Sequence, residues 1–147
     1  MKRLTLLFAI MATTLAATAQ KKPVLNHIAL SVYDIGKATA FYRDILNIDT
    51  IPEPFHDGKH TWFRIGEQSH LHLIQNSPAI TKHDKNTHIC FSVPSVEALM
   101  KLLDKHKIHY ESWTGEPKTA TKRVDGVKQI YLTDPDGYWV EINDDKY

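Results

Sequence analysis

A single cysteine, Cys90, excludes an internal disulfide framework. Packing or a bound metal must therefore hold the fold together, whatever the redox state of its compartment. Neither sign of charge is in excess, with 18 Lys and Arg against 17 Asp and Glu. No electrostatic case for a nucleic-acid partner arises from that balance. Long apolar runs are lacking too, and none reaches the roughly 20 residues that a membrane-spanning helix needs.

The one sizeable apolar run, Leu4 to Ala17, follows Lys2 and Arg3 and leads into Ala17-Thr18-Ala19 before Gln20. A basic start, a short apolar stretch and an Ala-x-Ala site have the form of a cleaved export signal. Residues 1–19 are expected to be removed, giving a periplasmic or secreted chain with a net charge of about −1 and no membrane association. No cysteine stands at the cleavage position, so the usual lipid attachment is missing. What remains fits one domain of the common size, about 100 to 150 residues.

What is present, in place of these features, is an internal repeat. His27-Ile28-Ala29-Leu30-Ser31-Val32 and His88-Ile89-Cys90-Phe91-Ser92-Val93 share one pattern, a histidine followed by alternating apolar and small residues. Such alternation predicts a half-buried strand, and its recurrence predicts two copies of one unit. Each strand precedes a helical stripe. Asp34 caps the first, with Ala38, Phe41, Tyr42, Ile45 and Leu46 on one face. Ser95 caps the second, whose face is Val96, Leu99, Met100, Leu102 and Leu103 and whose end falls near His106 and Lys107.

Three short strands are expected after each helix: Asp49 to Ile51, His60 to Ile65 and His70 to Gln75, then Tyr110 to Trp113, Gln129 to Thr133 and Trp139 to Asn143. Asp57-Gly58, Gly66-Glu67, Asp125-Gly126 and Asp134-Pro135-Asp136-Gly137 mark turns. The segment 77–87 reads as a linker, and 114–128 as an irregular loop beside the site. The class is α+β, each half running strand, helix, three strands.

Side chains alternate across a strand, so strand parity assigns faces. Ile28, Leu30 and Val32 should pack on the helix while His27, Ala29 and Ser31 point away. The same rule sends Leu71 and Leu73 inward and His70, His72 and Ile74 outward. In the second half it sends Ile89, Phe91, Val93, Val140 and Ile142 inward, leaving His88, Cys90, Ser92, Trp139, Glu141 and Asn143 on the other face. If the halves pair, His27, His72, His88 and Glu141 converge, a donor set suited to zinc, nickel, iron or manganese. Trp62, Arg64 and Tyr131 fall in the same frame and are candidate substrate-binding residues, Arg64 for an anionic group. His56, His60, His83, His106 and His109 are expected in loops or at helix ends as exposed histidines. Cys90 is expected to be a small buried hydrophobe.

The segments LNHIALSV, AFYRDIL, WFRIG, LHLI, THICFSV and LTDPDGYWVEI, spread from Leu25 to Asn143, resemble the vicinal oxygen chelate superfamily of glyoxalase I, fosfomycin-resistance proteins and extradiol dioxygenases. The resemblance implies one domain over 24–145, of two βαβββ modules (24–76 and 86–145) curved into a mixed-sheet cup with helices outside. It implies one divalent ion held from the first and fourth strand of each module, by His27, His72, His88 and Glu141. The activity it implies is that of a metal-dependent lyase or isomerase of the lactoylglutathione lyase type. Its substrate would be a small molecule with vicinal oxygens, with Glu141 or His72 moving a proton. An iron-dependent extradiol dioxygenase using His27, His88 and Glu141 is the alternative, with His72 then an acid or base beside the metal. A third possibility is a non-catalytic binder of a small molecule such as an antibiotic. A thiol transferase is disfavoured because Ala29 stands where a polar residue is expected. Such proteins form homodimers, and the cup can close within one chain or across two.

Overall fold

The computed structural model describes residues 22–146; the expected export segment, 1–19, lies outside them. Among the described residues no helix is long and apolar enough to cross a membrane.

The first half builds β1 (His27–Val32), α1 (Ile35–Ala40), β2 (Thr50–Ile51), β3 (His60–Arg64) and β4 (His70–Gln75); the second builds β5 (His88–Ser92), α2 (Val96–Lys105), β6 (Thr121–Lys122), β7 (Lys128–Thr133) and β8 (Trp139–Asn143). The halves form two four-stranded mixed sheets of the same design, ordered β1-β4-β3-β2 and β5-β8-β7-β6. β1 runs parallel to β4 and β5 parallel to β8, since in each half a crossover helix separates the first strand from its partner. Register completes the duplication. His72 lies between Ala29 and Trp62, and Glu141 between Cys90 and Tyr131. Trp62 thus corresponds to Tyr131, and His72 to Glu141.

Both caps form as the sequence requires, with Asp34 accepting from the Lys37 amide and Ser95 from the Ala98 amide. α1, however, is not one continuous α-helix. Phe41–Ile45 widens to a π-helical turn, closed by the Leu46 amide on the Phe41 carbonyl at 3.2 Å. Neighbouring Phe41 and Tyr42 are both buried there. Three further expectations need correction. Tyr110 to Trp113 is not a strand, because Glu111 makes only isolated bridges, to Pro117 and Tyr131. The segment 114–128, expected to be irregular, contains β6, which takes the edge beside β7 at Thr121 and Lys122. His60, counted among the loop histidines although it was also the first residue of an expected strand, opens β3 as that strand requires.

The inward faces of both sheets meet in one core. Leu30, Val32, Phe63, Leu71 and Leu73 from the first sheet pack with Ile130, Leu132, Val140 and Ile142 from the second, with α1 and α2 contributing Ala38, Val96 and Leu103. Burial of apolar side chains from both halves in one cluster holds the halves together. Three polar contacts key the junction. Tyr42 Oη donates to Asp134 Oδ2 at 2.9 Å, the Tyr33 amide to Asp136 Oδ1, and Tyr138 Oη to the Ser31 carbonyl.

The linker presses on the β7–β8 turn at Gly137, whose φ is +87°; a Cβ there would overlap the Thr81 carbonyl oxygen. Both the backbone and the space therefore demand glycine. Gly137→Ala is expected to cost about 2 kcal/mol or more, read as a lower urea midpoint with unchanged m-value.

Candidate metal centre

Each sheet carries half of a donor set on the face opposite the shared core. On the first, the His27 and His72 rings lie 6.1 Å apart. On the second, His88 Nε2 lies 3.2 Å from Glu141 Oε2. The two pairs lie on different sheets. Within one chain His27 pairs with His72 and His88 with Glu141, as two separate pairs. Among the described residues no three His, Cys, Asp or Glu side chains are placed to hold one metal ion. Strand parity fixes which face each donor takes and leaves open whether the half-sets meet within one chain or across two.

The chemistry of the donors still fits a divalent ion. The His27 Nδ1–H donates to Asn26 Oδ1 at 2.7 Å, and the His88 Nδ1–H to the Lys85 carbonyl, also at 2.7 Å. An oxygen acceptor at Nδ1 fixes the tautomer and leaves the Nε2 lone pair for a ligand, the usual support of a metal-binding imidazole. These two histidines occupy equivalent places in the repeat.

Glu141 is buried, and burial opposes its ionisation. Hydrogen bonds from Tyr131 (2.6 Å), Asn143 (3.1 Å) and the Cys90 thiol (3.4 Å), with His88 beside it, outweigh that cost and set its pKa below the ordinary value. A carboxylate held ionised in a buried position is suited to a cation. Burial, then the Glu141 charge, pushes the Cys90 thiol up to about 12, so it stays protonated as the donor in this group. Cys90 itself is more exposed than expected.

The candidate substrate residues fall in different settings. Trp62 stacks on His72 with ring centroids 4.2 Å apart, and its buried Nε1–H has no partner. Tyr131 is buried, its hydroxyl spent on Glu141 and in turn accepting from Gln129 Nε2. It supports the carboxylate more than it lines an opening. Arg64 is exposed on a groove of about 440 Å³ shared with Arg43, Asn47 and Asp49, which none of the donor histidines lines.

Two contributors were missed in the sequence. Asn143, two residues beyond Glu141, was placed on the right face but given no role. Lys85 could not have been found, because it lies in the linker. Its ammonium donates to Glu111 (2.6 Å) and to the Ser112 and Trp113 carbonyls, and sits 5.0 Å from the Tyr131 ring and 4.8 Å from that of Trp139. The linker is thereby pinned beside His88.

Comparison with known proteins places this geometry. The profile of the Glyoxalase/Bleomycin resistance protein/Dioxygenase superfamily matches residues 24–142. A lactoylglutathione lyase of Pseudomonas putida is 27% identical, over 85% of this chain and 90% of its own. The metallothiol transferase FosB of Staphylococcus epidermidis is 27% identical, over 81% of this chain and 80% of its own. Among solved structures, the fosfomycin resistance protein FosX of Listeria monocytogenes superposes with a TM-score of 0.66 at 23% identity, covering 84% and 93% of the two chains.

Proposed function

Since the chain belongs to the Glyoxalase/Bleomycin resistance protein/Dioxygenase superfamily, we propose that it is an exported, metal-dependent lyase or isomerase acting on a small substrate with two neighbouring oxygens. The observation that carries this reading is the matched preparation of His27 and His88. Each is tied at Nδ1 to an oxygen, at equivalent points of the repeat, and His88 turns Nε2 to the Glu141 carboxylate, which is kept ionised, at 3.2 Å. Two imidazoles and a carboxylate suit zinc, nickel, manganese or iron. Such an ion supplies Lewis-acid charge to the substrate oxygens. Trp62 offers an aromatic wall and an unspent N–H beside His72. His72 is the proton-transfer group: burial, then His60 and His27, lowers its pKa, so it is neutral and able to accept a proton near pH 7.

In this reading the working unit is a homodimer. His27 and His72 of one chain meet His88 and Glu141 of another, because among the described residues no three of these donors gather within a single chain. Complementation tests it. A chain carrying His27→Ala and one carrying His88→Ala each retain no metal alone; refolded together in equal amounts, they should recover about a quarter of the wild-type sites, since half the dimers hold one intact pairing. A site closed within one chain would recover none.

Metal analysis joined to oxygen uptake on catechols separates the chemistries. Iron with uptake would move the assignment to a dioxygenase. Export is checked by the mature N-terminus, expected at Gln20.

A further inference from the structure

His72 differs from the other imidazoles of the proposed metal site. Its Nε2 lies 2.7 Å from the ring nitrogen of another histidine, His60 Nδ1. Behind His60, the Asp57 carboxylate lies 3.5 Å from Nε2. The tautomers decide which ring donates, and in either case the short contact occupies His72 Nε2: it donates its hydrogen to His60 Nδ1 or spends its lone pair accepting from it. A nitrogen so engaged is not free for a metal while that hydrogen bond lasts. Stacking fixes the arrangement further. Trp62, His72, His60 and Phe55 form a series with successive ring centroids at 4.2, 5.0 and 4.4 Å. The stack holds the plane of the His72 ring, and the hydrogen bond to His60 selects which of its edges carries Nε2.

We propose that His60 is a positioning residue that holds His72 by its Nε2, so that the metal is bound by three protein groups, His27, His88 and Glu141, with the fourth expected ligand withheld. This rests on the metal site argued above. It deepens that reading by opening one more coordination position to substrate or water, while His72 stays beside it with its hydrogen-bonding fixed by His60.

The sign of one mutational effect tests it. Losing a residue that supports a ligand ordinarily weakens metal binding by about 10- to 100-fold; here, losing His60 should strengthen it. The probe is Co²⁺, whose visible absorption reports ligand number, titrated into the full-length chain. His72→Phe should leave affinity within about threefold of wild type and the spectrum unchanged. His60→Phe, which keeps the stacked ring, should free His72, tighten Co²⁺ about tenfold and alter the spectrum. The double variant should return to wild-type behaviour, and His60→Leu provides a second replacement should the first fail to fold. If His72→Phe loosens Co²⁺ as much as His88→Ala does, or both His60 variants leave affinity and spectrum unaltered, His72 is an ordinary ligand and the proposal is overturned. Wild-type protein that takes up no Co²⁺, or takes it up equally well after His88→Ala, would sink the metal site itself and this inference with it.

Discussion

Glu141→Gln should leave a folded protein that has lost its metal, with affinity down at least about 100-fold. The carboxylate is buried, and it gathers donors from Tyr131, Asn143 and Cys90 on strands that pair directly with β8 or belong to it. Glutamine preserves the shape and one acceptor for the Tyr131 hydroxyl, so the hydrogen-bonded ladder mostly survives. The negative charge, which is what a divalent ion requires, does not. Glu141→Ala should also lose the metal and in addition lower stability by about 1–3 kcal/mol, because it strands the Tyr131 hydroxyl in a buried position. Metal content after desalting, measured beside the thermal midpoint, distinguishes the two effects. Stoichiometric metal retained by Glu141→Gln would remove the basis of the proposed function. The pKa direction sets the acid limit. The folded pKa of Glu141 is lowered, so the stability it contributes is present above its ordinary value and disappears as pH falls through the folded one.

The largest loss of stability is expected from Tyr42→Ala, about 4 kcal/mol, from the cavity left by a fully buried ring in the core that joins the two halves. Tyr42→Phe isolates the hydroxyl, which donates to Asp134 across the junction. It should cost about 1–3 kcal/mol. The cost should also vary with pH. Burial raises the Asp134 pKa against the hydrogen bonds from Tyr42, Tyr138 and Asp136. A carboxyl with a raised folded pKa contributes stability that is full below the unfolded pKa and lost as pH rises through the folded one. Removing the Tyr42 donor raises that pKa further, so the deficit of Tyr42→Phe should be larger near pH 7 than near pH 4. Urea unfolding of both variants at the two pH values checks this. A deficit that is equal at both would mean that Asp134 draws nothing from the hydroxyl.

The repeat, both helix caps, and the strands His27–Val32, His70–Gln75 and Trp139–Asn143 were legible in the sequence to the residue. These depend on interactions between near neighbours: a side-chain oxygen three residues before an amide, or the period of two along a strand. Parity likewise assigned His27, His72, His88 and Glu141 to the face away from the helix, and the observed register agrees. The weaker elements were less legible. Thr121–Lys122 is a two-residue edge strand whose existence depends on the partner beside it, and it was not expected, whereas Thr50–Ile51 was expected to within one residue. The π-helical turn at Phe41 has no local signature, and it coincides with the place where Tyr42 must reach Asp134.

By itself, then, the sequence determined a duplicated α+β unit and the face on which each donor stands, because both are periodic properties of a chain. Only the tertiary structure decided that apolar side chains of both sheets share one core and that the donors stand as two separate pairs. It also decided that His60, twelve residues away, takes the His72 nitrogen. Those outcomes depend on which surfaces exclude water together and which rings stack, and that is settled between segments rather than along them.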